Sequence, residues 1–134
     1  MCIFCDIIAG SIPSKKVYED EDVLAILDIS QTTKGHTLVM PKKHYNNYLE
    51  MPENEFITLM AKTQMVAKKV VNNLNAKGCN TLINTNEVSG QSVLHTHVHI
   101  IPRYDASDSI EIKFKENQFN LDEVLTSISE SPIN

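Results

Sequence analysis

The chain reads as an α+β domain built on a mainly antiparallel sheet, and three observations carry that reading. Short apolar runs suited to strands flank one long run with helical periodicity. The strands come in hairpin-like succession rather than alternating with helices, which argues against repeated βαβ units. The stretch Val93-Leu94-His95-Thr96-His97-Val98-His99-Ile100-Ile101-Pro102-Arg103 sets three of the five histidines at alternate positions of an apolar run. Side chains alternate between the faces of a strand, so His95, His97 and His99 are expected on one face, with Thr96, Val98 and Ile100 turned to a core.

The elements follow in order. Ile3 to Ala9 suits a short helical turn ended by Gly10, and Ser11-Ile12-Pro13-Ser14 a loop, because proline disfavours helix in the residue before it. Val17-Tyr18 and Val23 to Leu27, joined by the acidic turn Glu19 to Asp22, read as a hairpin whose second strand is buried and ends at Asp28. After a polar loop from Ile29 to Gly35, His36 to Met40 forms a third strand that stops at Pro41, followed by Lys42, Lys43 and His44. From about Pro52 to Ala76, Phe56, Met60, Thr63, Ala67, Val70 and Leu74 recur at three- and four-residue steps and predict the long helix. Pro52 suits its first position, although Met51 is a poor N-cap. Glu53 and Glu55 suit the positive end of its dipole, Lys68, Lys69 and Lys77 the negative end, and Gly78 a left-handed stop. Thr81 to Asn84 reads as a further strand and Thr85 to Ser92 as a loop before the histidine strand. Beyond it, Ile110, Ile112 and Phe114 alternate like a short edge strand, and Asn120 with Glu123 signals the start of a short helix carrying Leu121, Val124, Leu125 and Ile128.

At 134 residues, with 42% hydrophobic and 22% charged residues, the chain suits one domain over 1–134. A net charge of -5 and a pI near 5.5 provide no basic patch. A nucleic-acid polymer is therefore not an expected partner, whereas a small nucleotide needs only a local cradle. No segment is long and apolar enough to span a bilayer and the N-terminus carries no basic, apolar leader, so a cytoplasmic protein without a membrane partner is expected. Three cysteines in a reducing compartment argue against a disulfide framework. They leave Cys2-x-x-Cys5 as a metal or redox motif, with Cys79 a bystander thiol.

Imidazole can change protonation near neutrality, attack phosphorus or bind a metal, so three in register form a working face. A neutral ring is a nucleophile when its other nitrogen carries the proton and donates it to a fixed acceptor. Transfer through a phosphohistidine further requires donors around the phosphate and a proton for the departing group. Gly90-Gln91-Ser92 can supply both, through backbone amides that glycine lets approach and through two polar side chains, and its plainer alternative is a polar turn before a strand.

With the triad His95 through Ile101, the chain resembles the histidine triad (HIT) family, whose motif sets three histidines at alternate positions among apolar residues. The resemblance extends to Phe4, Ile7 and Ile8, to Leu27-Asp28-Ile29-Ser30, to His36 through His44, to Asn84 and to Gly90-Gln91-Ser92-Val93, and is nearest the bacterial, Hint-like branch. Thr96 departs from the motif in an apolar slot, and Ser89 stands where many relatives have a second glycine.

The resemblance implies a HIT-like fold with about five strands per subunit, one long helix and a short C-terminal helix. It also implies cleavage of nucleoside 5'-monophosphate esters or phosphoramidates at the α-phosphorus through a nucleotidyl-histidine. His97 would be the nucleophile, His99 would hydrogen-bond the phosphate, Ser92 would contact the leaving atom, and His36 would support the triad. Asn84 and Gln91 would position the phosphate. Asp28 would accept from the ribose hydroxyls, and Phe4, Ile7, Ile12 and Ile26 would form a base slot; Asp28 and Asn84 also have purely local roles open to them, and the aliphatic residues a role in the core. In zinc-containing members a cysteine pair joins a later histidine and the first triad histidine, which here gives Cys2, Cys5, His44 and His95 as a structural Zn2+ site. The implied partners are a purine nucleotide, as AMP or GMP conjugates, and a second copy in a homodimer. The rival readings are a dinucleoside polyphosphate hydrolase, a non-catalytic nucleotide-binding module, and a catalytic metal held by His95, His97 and His99.

Overall fold

The structure, a computed structural model, describes residues 2–130. Five strands, β1 (Lys16–Glu19), β2 (Val23–Leu27), β3 (Thr37–Pro41), β4 (Gly78–Leu82) and β5 (Val98–Arg103), form one antiparallel sheet in the order β1-β2-β3-β5-β4. Helix α1 (Ile3–Ile8) precedes the sheet, α2 (Glu53–Asn73) lies between β3 and β4, and α3 (Leu121–Ser129) follows β5. The α+β expectation of about five antiparallel strands, one long helix and a short C-terminal helix is met.

The sheet is covered on both faces, which explains why β2 reads as an unbroken apolar run rather than an alternating one. Val23, Ala25, Val39, Val98 and Ile100 pack under α2 with Leu59, Val66 and Val70. On the opposite face Leu24, Ile26, Leu38 and Met40 pack with Phe4 and Ile7 of α1. Alternation along β5 then sends Val98 and Ile100 to the α2 side and His99, between them, to the α1 side. The hairpin turn is held by Asp20, whose carboxylate accepts from the Asp22 and Val23 amides at 2.8 and 2.9 Å and from the Tyr18 hydroxyl.

Several elements depart from expectation. The ladder of β5 begins only at Val98, so His95 to His97 precede it rather than lying in it. β3 includes Pro41, and β4 starts at Gly78 and ends at Leu82, earlier than the expected Thr81 to Asn84. In α2, Pro52 is the N-cap, without a side-chain hydrogen bond, and Met51 is buried instead of capping. The helix ends at Asn73 and Asn75 takes the left-handed conformation (φ 54), so Gly78 is not the stop and the last turn carries no basic residue. Lys69 instead donates to the Val17 carbonyl of β1, and Lys77 lies beyond the helix, its amide on the Arg103 carbonyl. The buried stripe centres on Leu59, Thr63, Val66 and Val70, rotated from the expected one; Phe56, Met60, Ala67 and Leu74 flank it, partly buried. Ile110, Ile112 and Phe114 form no strand, and Phe114 is 93% exposed. Three apolar residues at alternate positions cannot make a strand without a neighbour to hydrogen-bond. α3 forms with Asn120 accepting from the Glu123 amide at 3.1 Å, but buries none of its residues.

Gly35 sets the entry to β3. Its φ of +95 suits glycine, and a Cβ there would collide with Leu74 and crowd Pro102. Its amide donates to Gln31 Oε1 at 2.8 Å, which fixes the turn that delivers His36.

Leu59 is fully buried at the centre of the helix–sheet layer. Leu59→Ala is expected to lower unfolding stability by about 2–5 kcal/mol, read from urea denaturation. A loss below about 1 kcal/mol would show that α2 does not seal this core.

Candidate active site and metal centre

The segment before β5 is shaped by bonds outside the ladder. The Thr96 amide and hydroxyl both donate to the Tyr45 carbonyl, at 2.8 and 3.2 Å, and the His95 amide donates to the Val93 carbonyl at 2.9 Å. Thr96 is buried, and its hydroxyl explains why a polar residue occupies an apolar slot of the motif. The irregular path turns His95 away from the other two rings.

His97 and His99 lie on the α1 face with ring centroids 5.1 Å apart, and Phe4 of α1 meets the His97 ring edge-on at 4.9 Å. His97 Nδ1 lies 2.6 Å from the His95 carbonyl oxygen, which can only accept, so the proton is on Nδ1 and the Nε2 lone pair is free. A chain of bonds likewise assigns His99. The Thr32 amide donates a long bond to His36 Nδ1 at 3.4 Å, leaving the His36 proton on Nε2. That N–H donates to His99 Nδ1 at 2.9 Å, so His99 keeps its own proton on Nε2. One ring therefore presents a lone pair and its neighbour an N–H. Burial pushes His97 below the ordinary histidine range and His99 down to about 4, the latter helped by the nearby His97 and His36. Both rings are neutral at pH 7.

A cleft of about 300 Å³ opens beside them. Phe4, Ile7, Ile26, Asp28, Ser92, His97 and His99 line it, which brings together most of the residues expected to hold substrate. Asp28 Oδ1 accepts from the Ser30 amide at 2.8 Å, and Oδ2 lies 3.6 Å from His36 Nε2. Ile12 is half-buried against the Phe4–Ile26 cluster and does not line the cleft, and the buried His36 is hydrogen-bonded to His99 without lining it either. The Gln91 side chain is committed to its loop, donating to the Asn46 and Val93 carbonyls and accepting from the Asn86 amide. Asn84 stands beside Gly90, outside the cleft lining. Ser89 donates to the Thr85 and Asn86 carbonyls, tying the same loop. Among the described residues, the Ser92 hydroxyl and the Ser92 and Val93 amides have no protein partner.

Sequence reasoning missed Ile3, Leu27, Ile29, Leu38 and Val93 in the lining. Leu38 had a legible signal, two residues from His36 on one face of β3.

Cys2, Cys5, His44 and His95 converge on the far side of His95. A tetrahedral Zn2+ with bonds of about 2.3 Å to sulfur and about 2.0–2.1 Å to nitrogen sets ligand separations of about 3.4 Å between nitrogens and about 3.6 Å between sulfur and nitrogen. The observed separations are 3.2 Å between the His44 and His95 Nδ1 atoms, and 3.4, 3.4 and 3.6 Å between sulfur and nitrogen. The outer nitrogens agree: His95 Nε2–H donates to the Pro41 carbonyl at 2.8 Å and His44 Nε2–H to Asn46 Oδ1 at 2.9 Å, so both inward nitrogens carry lone pairs. Asn46 was not foreseen. With His95 turned into this cluster, the three triad rings do not converge on one ion, which removes the geometric basis for a three-histidine catalytic metal.

A HIT family protein of Bacillus subtilis has the same fold, with 44% identity and a TM-score of 0.92 over 99% of this chain and 98% of its own. A Zn-bound histidine triad family protein of Mycobacterium smegmatis is 38% identical with a TM-score of 0.75, over 79% of this chain and 77% of its own. An adenylylsulfatase of Arabidopsis thaliana is 38% identical over 102 residues, which are 76% of this chain and 52% of that protein. The model of the HIT domain matches residues 9–106. With fold, histidine spacing and family model in agreement, the chain belongs to the HIT family, whose members bind nucleotides and are commonly nucleotide hydrolases.

Proposed function

We propose that the chain is a nucleotide hydrolase that cleaves nucleoside 5'-phosphoramidates or esters at the α-phosphorus through a histidine adduct on His97. The observation that carries this reading is the 2.6 Å bond from His97 Nδ1–H to the His95 carbonyl, which leaves Nε2 bare in a cleft that also holds Asp28. Attack by Nε2 makes His97 a cation, and the same carbonyl stabilises the N–H of that cation. His99 Nε2–H and the amides of Ser92 and Val93 are free to meet the phosphate oxygens, and Ser92 is free to hand a proton to the departing atom. Asp28 receives the ribose hydroxyls, and Phe4, Ile7 and Ile26 the base. Gln91 and Asn84 act through the shape of the 85–92 loop. His36 acts through His99, keeping its proton on the side that faces phosphate.

A structural Zn2+ on Cys2, Cys5, His44 and His95 would cross-link the start of α1 to the segment before β5 and neutralise the two thiolates, without touching substrate. The reading also makes the chain a homodimer. It is supported by apolar side chains left to solvent on α2 and α3, including Ile57 (58% exposed) and Ile128 (72%), and sedimentation equilibrium reads it directly.

The rival module that binds nucleotide without turnover predicts no covalent species. Mixed with adenosine 5'-phosphoramidate, the parent protein is expected to show an AMP-sized mass increment under non-acidic denaturation, or released AMP, and His97→Ala neither. The loss in turnover should be at least about a thousandfold. Folded protein that binds AMP yet yields no adduct and no AMP would move the assignment to the binding module.

The buried histidines set the pH dependence. Protonating His97 removes the attacking lone pair, and its folded pKa lies below the usual 6.5. Turnover is therefore expected to hold as pH falls through 6.5 and to drop only at lower pH. Because the unfolded chain binds these protons more readily, stability should decline over the range between 6.5 and about 4, where His99 titrates. An acid limb centred at pH 6.5 or above would contradict the neutral, buried nucleophile.

Purified without chelators, the protein is expected to carry one zinc per chain by elemental analysis, and Cys2→Ser with Cys5→Ser to lose both the metal and several degrees of melting temperature. Unchanged metal content and melting temperature in that double variant would refute the site.

A further inference from the structure

Helix α1 walls the cleft with Phe4 and Ile7, and the Phe4 ring stands edge-on to His97. Its hold on the rest of the chain is narrow. Among the described residues, every backbone hydrogen bond made by residues 2–12 stays within that stretch, and their polar side-chain contacts beyond it run only from Cys2 and Cys5 to His95 and His44. Apolar packing of Phe4, Ile7, Ile8 and Ile12 supplies the remainder. A helix of six residues does not persist in water without a partner surface. The position of this wall therefore depends on two thiol groups.

The pair has the geometry of a dithiol that can close. Cys2 caps α1 and Cys5 follows one turn later, its amide 3.4 Å from the Cys2 sulfur. The two sulfurs lie no more than 4.8 Å apart. Residues three apart in a helical turn have α carbons about 5 Å apart, inside the window of about 4.4–6.8 Å that a disulfide needs. Both cysteines are half-buried, and Cys2 borders an open cleft of about 660 Å³, so a small oxidant reaches its sulfur. The sulfur of Cys79, on β4, meets the Thr81 hydroxyl instead.

We infer that Cys2 and Cys5 are a site of reversible oxidation, at which hydrogen peroxide converts the zinc-bound thiolate pair to a disulfide, expels the metal and loosens the α1 wall of the cleft. The inference rests on the structural zinc site proposed above. In the first step the Cys2 sulfur forms a bond to one peroxide oxygen as the O–O bond breaks, and the departing hydroxide takes a proton to become water. The Cys5 sulfur then displaces the second hydroxide from Cys2, which also leaves as water, and the S–S bond closes. Two electrons pass from the sulfurs to the peroxide and two protons are consumed. Zinc keeps only two imidazoles of its four ligands and dissociates. A dithiol reductant returns the two electrons, is itself oxidised to a disulfide, and restores the thiolates to the metal.

The test uses full-length, zinc-loaded protein carrying Cys79→Ser, so that only the pair reacts, titrated with hydrogen peroxide. Intact mass, zinc released to a chromogenic chelator and AMP affinity by calorimetry are read together. The expected result is a mass lower by two hydrogens, one zinc released per disulfide, and AMP affinity weaker by about tenfold, within the usual range of coupling between sites. Dithiothreitol with added Zn2+ should restore all three. Zinc that stays bound until the cysteines reach sulfinic acid, a disulfide formed without loss of zinc, or AMP affinity within about twofold of the parent's after zinc has left would overturn the switch. Loss of the far-UV circular dichroism alongside AMP affinity would show general unfolding and overturn it as well. Protein that carries no zinc before peroxide is added would overturn the metal site and the switch with it. Failure of the reduced, zinc-loaded protein to bind AMP would instead overturn the nucleotide reading, and with it any control of the cleft.

Discussion

His95 is bonded in three directions, and the rest of the site depends on it. Its outer nitrogen donates to the Pro41 carbonyl at the end of β3, its inner nitrogen faces Cys2, Cys5 and His44, and its carbonyl accepts from His97 Nδ1–H. The ring is fully buried, a position in which an unmatched polar atom costs about 1–3 kcal/mol. All its polar atoms are matched. The orientation of the free His97 nitrogen is thus tied, through His95, to a cysteine pair at the other end of the domain's chain.

Covering both faces of the sheet is the second constraint. The helix α2 packs over β2, β3 and β5 on one face, and His97 and His99 lie on the other, where the cleft opens. There the six residues of α1 cover part of the sheet and leave the cleft between Phe4, Ile7 and Asp28. Burial that holds the rings in place also keeps them uncharged, which suits a nucleophile and a neutral donor at pH 7. No lysine or arginine lines the cleft, so its free N–H groups are the donors an anion there would meet.

Local signals were sufficient for β2, β3, both terminal helices and the long helix, because each has a periodicity or a cap that needs no distant partner. They misled where a distant partner decides. Lys69 looked like a dipole partner and is instead a donor to β1, and Ile110 to Phe114 alternated without a neighbouring strand to join. The histidine row and the Cys2-x-x-Cys5 pair were legible from residue types and spacing, whereas Asp28 and the joining of His44 and His95 to the cysteines were expected only from the family resemblance. Asn46 and Thr32 were not legible, since their importance lies in which ring nitrogen they reach.

By itself the sequence determined which chemical groups are available, that three imidazoles share one short segment, and that the segment leads into a sheet core. Periodicity and residue chemistry are properties of neighbours along the chain. Only the tertiary structure decided that His95 turns to the cysteines while His97 and His99 face the cleft, because the Tyr45 and Pro41 carbonyls that bend and hold the segment come from β3 and its following loop. It also decided the tautomers of His97, His99 and His36, which depend on acceptors and donors brought together from separate strands and loops.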